Sequence, residues 1–487
     1  MAAKLRKLEK AIKNAATYEE WRAACAEHDR LSGADEWKQV DHSPFYDYEL
    51  IRARLSELRR ARKKRDGHQL VFHLHEGLHG NLGNISNPML YKQSKLGTKR
   101  LIEEYLDEVC TSLHFVCDNE FANLDFKKKI DFFETVGQAF GRSALMLSGG
   151  AALGLFHLGV VKALWEHDLL PKVISGSSAG SIVAAAVGTH KDDELEAKLE
   201  PENLYMTAFK YIGWTGIFKG RPILDGDHLE VCLQENIADM TFEEAYRETG
   251  LEINVTVSPY DRHQQSRLLN WRTSPHVLIR KAVLASCAVP AIFPPVTLWA
   301  KNVHGEKVPY IPTRKWVDGS VNDDLPVGRL ARLYGVNHTI VSQTNPHVVP
   351  FITRDEKAPG PFNLLRTFAV RNVQLNAKLS LEVIQSRIKN NDIALLFDKA
   401  HSVAQQKYIG DINIIPPRRP SNILKIFKNP TVEDVRAFIK NGERTTWPKL
   451  DMIRNTTRIS STFTECREKL DRIEAEKLER LKLVSVK

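Results

Sequence analysis

The sequence predicts an α/β protein whose central, mostly parallel sheet is flanked by mainly helical N- and C-terminal regions. Three observations carry that prediction. Between about residues 143 and 345, short apolar runs of strand length alternate with helical segments, the pattern of strand–helix–strand units. Two of these stretches, Ser143–Val161 and Val173–Thr189, carry no Asp, Glu, Lys or Arg, as expected of strands covered on both faces. On either side of this segment, charges interleave with apolar residues at helical spacing.

The N-terminus, MAAKLRKLEKAIKN, has charges every few residues and no apolar stretch of signal-peptide length. It reads as an amphipathic helix. The most basic run, Arg59 to Arg65, ends a helical stretch; Gly77–Asn84 is rich in Gly and Asn and reads as a loop. Helical spacing resumes over residues 95–140. Strands are expected at Ala144–Leu147, Lys172–Ser175, Glu252–Ser258 and His338–Gln343. A Pro-containing linker, a helix over Phe362–Asn390, a short strand at Asp411–Pro417 and a final helix over Thr464–Lys482 follow, the last with Leu470, Ile473, Leu478 and Leu481 as its stripe. The expected division is residues 1–142, an accessory helical domain; 143–345, the α/β domain; and 346–487, a C-terminal helical extension.

Composition narrows the function classes. With 43% hydrophobic and 26% charged residues, the chain is neither collagen-like nor mucin-like nor wholly disordered. Its 487 residues suit two to four domains. A net charge of +9 is mild over that length, and the Arg59–Arg65 run has no interleaved stacking aromatics, so nucleic-acid binding is disfavoured. That run is either a solvated helix end or a contact for anionic lipid headgroups. The six cysteines are scattered with no zinc-type spacing, which suits a reducing, cytoplasmic compartment. Gly, Ser and turn signals break both uncharged stretches, so no transmembrane helix is expected.

The chemistry concentrates in three places. Val173–Gly176 leads into Gly176-Ser177-Ser178-Ala179-Gly180 and then into a helix of small residues. Strand, Gly-x-Ser-x-Gly and helix is the context of a nucleophile elbow. Gly176 and Gly180 let the backbone pass, and Ser178 stands at a helix N-terminus, whose partial positive charge favours an alkoxide. The second place is Ser148-Gly149-Gly150-Ala151 at the end of the first strand, where successive amides can face one point as an oxyanion hole. A dinucleotide loop fits poorly, because no acidic residue ends a second strand at the required distance. The third is Trp316-Val317-Asp318-Gly319-Ser320, an acid at a strand end. Competing candidates are Asp225 and Asp227, which look like helix N-caps, and His338 and His347, either of which would complete a triad. His157 reads as a packing or polar-contact residue.

Gly149-Gly150-Ala151-Ala152-Leu153-Gly154, Gly176-Ser177-Ser178-Ala179-Gly180 and Asp318-Gly319-Ser320 together resemble the three signature blocks of patatin-like phospholipases. Ala285-Ser286-Cys287-Ala288-Val289-Pro290 resembles the segment that precedes that family's catalytic Asp. The likeness covers about residues 143–345. Outside it, the stretch around Gly77–Asn84 and the Gly410–Pro416 strand resemble the fungal lipid-droplet triacylglycerol lipases and their bacterial relatives. Many patatin-like proteins have a third Gly and then a cation in the first block. Ala151 and Leu153 stand there instead, a version similar to the triacylglycerol lipase branch.

The resemblance implies a three-layer α/β/α domain and a lipid acyl hydrolase with a Ser–Asp dyad. Ser178 would be the nucleophile and Asp318 the base, with Gly149, Gly150 and Ala151 lining the oxyanion hole and no metal or cofactor. The substrate would be triacylglycerol, phospholipid or lysophospholipid, met at a membrane or lipid-droplet surface. The alternatives are an α/β-hydrolase esterase with a histidine base and a non-catalytic lipid-binding protein.

Overall fold

The computed structural model describes all residues except 79, 206, 213–221, 262–263, 322, 346–408, 418–427 and 486–487. The helix expected over 362–390, and His347, lie outside the described residues. The chain divides into two compact units: Met1–Ser143 with Ala331–His338 and Trp447–Lys487, and Ala144–Leu330 with Thr339–Thr446.

The first unit is helical. Thr17, Asp47, Asp66 and Asp125 each accept a hydrogen bond from a backbone N–H of the first turn they precede, which satisfies donors the helix itself leaves open. The helices Tyr48–Lys63, Gly67–Gly77, Arg100–Asp118 and Phe126–Phe140 pack their apolar faces into one core that includes Ile51, Leu70, Ile102, Val109 and Phe133. The C-terminal helix, Leu450–Ser485, adds Ile459, Phe463, Cys466 and Leu470 to that same core. This corrects the expected stripe. The helix starts well before Thr464, its buried apolar residues run from Leu450 to Leu470, and Leu478 is 54% exposed. Leu470 of the expected stripe is fully buried, but the stripe was sought only in the charged end of a longer helix and so missed the face before it. In the basic run, Arg62 grips the buried Glu108 with Nε at 2.6 Å and Nη2 at 2.9 Å, and Arg59 reaches Glu104 at 3.1 Å. These arginines are therefore engaged within the unit.

The described strands are β1 (Arg142–Leu147), β2 (Val173–Gly176), β3 (Glu252–Pro259), β4 (Arg267–Leu269), β5 (Trp299–Lys301), β6 (Lys307–Pro309), β7 (Trp316–Asp318), β8 (Val336–Ser342) and β9 (Ile412–Ile414), and most of their residues belong to the second unit. The main sheet has the order β4-β3-β2-β1-β8-β9, with β7 also paired to β3. β1 with β2, β2 with β3, and β8 with β9 are parallel; β4 and β7 run antiparallel to β3. β5 and β6 form a separate antiparallel pair. The sheet is thus mixed with a parallel centre, and helices flank it. The central strands are almost wholly buried: β2 and β3 along their whole lengths, and β1 from Ala144 to Leu147. That burial explains why β1 and β2 read as short apolar runs, whereas β3 buries Glu252, Asn254, Thr256 and Ser258 at alternate positions.

Two helix contacts keep the site's surroundings tight. A Cβ on Gly159 of the Phe156–Trp165 helix would run into the Ile439 carbonyl oxygen of the Val432–Thr446 helix. One on Gly442 would meet the Phe156 carbonyl. Only residues without side chains allow these backbones to approach so closely.

Candidate active site

The parallel strands end on one edge of the sheet, where α/β folds place their ligand sites. β1 runs into Ser148–Ala151, and its register with β2 (Leu147 opposite Gly176) sets the turn after β2 directly beside that loop. The Ser177 N–H donates to the Leu147 carbonyl at 3.1 Å and locks the two turns together.

Ser178 caps the Ala179–Gly188 helix with φ 50° and ψ −124°, a strained conformation for a non-glycine residue. Its N–H donates to Ser286 Oγ at 2.9 Å, and Ser286 Oγ donates on to the Thr256 carbonyl at 2.8 Å. The flanking glycines are needed for space. A Cβ on Gly176 would collide with the Gly180 carbonyl oxygen, and one on Gly180 with the Leu147 carbonyl oxygen.

Asp318 is buried at the end of β7, opposite Val257 of β3. Its N–H donates to the Ala288 carbonyl at 3.0 Å. Its Oδ1 accepts from the Ser320 N–H at 2.8 Å, which fixes the carboxylate at the turn. Gly319 is required there, because a Cβ would strike the Thr256 carbonyl oxygen. The three segments converge on Gly149. A Cβ built on it would stand 3.4 Å from Ser178 Cβ, 3.6 Å from Asp324 Oδ1 and 3.7 Å from Ser320 Cβ. Cys287 is buried nearby, and burial first, then the charge of Asp318, pushes its thiol pKa upward.

In the glycine loop, Gly150 has φ 168° and Ala151 φ 48°. A Cβ on Gly150 would collide with Thr344 Oγ1. The Gly149 N–H already donates to Asp324 Oδ1 at 2.9 Å. Among the described residues, neither the Gly150 nor the Ala151 N–H donates a hydrogen bond.

Beside Ser178 opens an apolar pocket of about 940 Å³, its mouth included, walled by Leu155, Ile182, Ala186, Phe209, Leu229 and Phe293. Its apolar lining suits an acyl chain.

The other sequence candidates sit elsewhere. Asp225 caps the Gly226–Asn236 helix through the Asp227 N–H at 3.0 Å and the His228 N–H at 3.4 Å. His338 lies in the first half of β8 with its ring 5.0 Å from the Phe140 ring. His157 is fully buried. Its Nε2 lies 2.9 Å from the Ser148 carbonyl and its Nδ1 2.7 Å from Ser342 Oγ. A carbonyl only accepts, so Nε2 carries the ring proton and Nδ1 accepts from Ser342. Burial lowers its pKa to about 4, which keeps the ring neutral.

Sequence reasoning assigned no role to Ser286, Asp324 or Thr344. Ser286 stood inside a quoted block without a role. Asp324 and Thr344 carry no local signal, since each acts on a loop far away in the chain.

Residues 145–331 match the patatin-like phospholipase family, and residues 1–138 match a domain of unknown function, DUF3336. The triacylglycerol lipase ptl3 of Schizosaccharomyces pombe is 35% identical over 460 residues, which cover 91% of this chain and 93% of that protein. The chain belongs to the patatin-like phospholipase family. Within it, the Arabidopsis thaliana triacylglycerol lipase SDP1L is 38% identical across 93% of this chain. Triacylglycerol lipase 4 of Saccharomyces cerevisiae is also 38% identical, across 91% of this chain. The chain spans 57% and 51% of the lengths of those two relatives. The patatin-like match holds the glycine loop, Ser178, Ser286, Asp318 and Asp324. Thr344 lies past its end.

Proposed function

We propose that this patatin-like protein is a serine acyl ester hydrolase acting on lipids, triacylglycerol or phospholipid, by a Ser178–Asp318 dyad. Asp318 takes the Ser178 proton as the hydroxyl attacks an ester carbonyl. The tetrahedral oxyanion is received by amides of the Gly149–Ala151 loop, and its collapse, with the proton passed from Asp318 to the leaving oxygen, expels the alcohol and leaves an acyl-enzyme. Water, deprotonated in the same way, then releases the fatty acid. No step needs a metal or cofactor.

One observation carries the proposal: a serine held in strained backbone geometry at a helix N-terminus opens onto an apolar pocket, with the glycine loop against it. An uncatalytic lipid-binding protein has no use for that strain, which costs roughly 1–3 kcal/mol. The triacylglycerol lipase names of the relatives support the lipid substrate. The proposal keeps residues 1–142 and 346–487 as accessory regions around an acyl hydrolase domain at 143–345. It sets the enzyme at a membrane or lipid-droplet surface in the cytoplasm, held peripherally. Among the described residues no helix is long and apolar enough to cross a membrane.

The test is a panel of triacylglycerol, phospholipid and lysophospholipid substrates with Ser178→Ala as the blank. Ser178→Ala should lose ester hydrolysis and fluorophosphonate labelling; a labelled Ser178→Ala protein would sink the assignment. Asp318→Asn should fold and lose most of the rate. Full activity in that variant points to a histidine base instead.

A further inference from the structure

The glycine loop is gripped on both sides by residues that the dyad mechanism does not use. On one side, the Gly149 N–H donates to Asp324 Oδ1 at 2.9 Å. On the other, the Gly149 carbonyl accepts from Ser148 Oγ at 2.9 Å and from Thr344 Oγ1 at 3.1 Å. The grips are themselves anchored. Asp324 Oδ2 accepts from Asn345 Nδ2 at 2.9 Å, and the Asp324 carbonyl accepts from Ser177 Oγ at 3.0 Å. The Thr344 N–H donates to Ser148 Oγ at 2.8 Å, and Thr344 Oγ1 lies 3.2 Å from His157 Nε2. Ser148, Asp324 and Thr344 are buried.

Planarity of the peptide unit converts these contacts into a direction. In a trans peptide the C=O and the next N–H point opposite ways. Holding the Gly149 carbonyl toward Thr344 therefore turns the Gly150 N–H to the other side. The Gly149 N–H is committed to a carboxylate, and a nearby negative oxyanion would have to compete with Asp324 for it. The Gly150 and Ala151 amides have no such commitment among the described residues. The clash that a Cβ on Gly150 would make with Thr344 Oγ1 ties the glycine at that position to the same grip.

We propose that Asp324 and Thr344 are positioning residues that hold the Gly149 peptide so that Gly150 and Ala151, and not Gly149, supply the oxyanion amides. The proposal rests on the serine hydrolase assignment and narrows its donor set.

Hydrolysis of p-nitrophenyl butyrate, a soluble ester, tests it, with rates taken per active site titrated by fluorophosphonate. Affinity for a trifluoromethyl ketone, which forms a tetrahedral adduct on a serine, is measured beside it. Thr344→Val and Asp324→Ala should lower kcat by about tenfold or more, as for a misplaced oxyanion donor, with little change in KM. Ketone affinity should fall in parallel. Thr344→Ser and Asp324→Asn, which keep the gripping atoms, should recover most of the rate. A role in folding alone would reduce the titrated fraction and leave kcat per site and ketone affinity intact, which overturns the proposal. Where the deletions do not fold, Asp324→Glu carries the test: it keeps the charge and displaces the carboxylate by a methylene, so wild-type kcat in it also overturns the proposal. Ser178→Ala separates the two failures. If it still hydrolyses the ester, the serine assignment falls; if it is inert while Thr344→Val and Asp324→Ala keep full kcat, only the positioning role falls.

Discussion

The Ser178 N–H donates to the hydroxyl of Ser286, 108 residues away, at 2.9 Å. Ser286 in turn donates its hydroxyl hydrogen bond to the Thr256 carbonyl on β3 at 2.8 Å. The strained elbow is thereby tied to the middle of the sheet. Ser286→Ala leaves the elbow N–H without its acceptor, and should cost about 1–3 kcal/mol in chemical denaturation. Because the lost contact positions Ser178, the proposed nucleophile, kcat should fall while KM for a soluble ester holds; an unchanged rate would show the elbow to be self-supporting.

Gly180→Ala should be far more damaging than an alanine in an ordinary helix. The added Cβ meets the Leu147 and Ser148 carbonyl oxygens, which belong to backbone and cannot rotate aside. Overpacking of this kind typically costs about 1–3 kcal/mol or more. A melting temperature and activity equal to wild type would contradict the close approach.

Ala186→Phe places a ring in the wall of the pocket beside Ser178. Hydrolysis of long-chain esters should fall by roughly tenfold relative to butyrate esters, the scale expected of steric discrimination in an apolar pocket. Equal losses for both chain lengths would mean that the acyl chain lies elsewhere.

His157 sets a pH dependence of stability. Its folded pKa is lowered from 6.5 to about 4, first by burial, with the Ser148 hydrogen bond opposing. The unfolded chain therefore binds the proton more readily between those values. The contribution is complete above about pH 6.5 and is lost as pH falls toward 4, on the order of 3 kcal/mol in all. Urea midpoints of wild type and His157→Gln across this range check it: the difference in slope should be confined to pH 4–6.5.

Deleting residues 450–487 removes Ile459, Phe463, Cys466 and Leu470 from the core of the first unit. At roughly 1.5–3 kcal/mol for each large apolar side chain, the loss approaches the whole stability of a typical domain. Residues 1–143 should then lose their cooperative unfolding transition; a truncated chain with the wild-type transition would refute the shared core.

β1 and β2 were legible as short apolar runs, the mark of burial on both faces, and β3 and β8 as strand-length segments next to helical ones. β9 was legible as a short apolar run before prolines. β4, β5 and β6 have three residues each, too few for a periodicity to show. The C-terminal helix and its buried Leu470 were recognised, but the rest of its buried face was missed, because its partners Phe132 and Phe133 lie more than 300 residues earlier in the chain. In the site, Ser178 and its glycines were legible because one tight turn demands those residue types in close succession. Thr344 and Asp324 act on Gly149 across 195 and 175 residues, and no local pattern encodes such a pairing.

By itself, the sequence determined the α/β segment, the elbow around Ser178, the glycine loop and the acid at Asp318. Each depends on local geometry: strand burial, a turn without room for side chains, a carboxylate at a strand end. Only the tertiary structure decided that His157 is a neutral anchor of the loop, that Ser286 braces the Ser178 amide and that the Gly149 amide belongs to Asp324. Hydrogen bonds are directional and short-ranged, so a polar side chain acquires its partner only when the sheet has brought distant segments together.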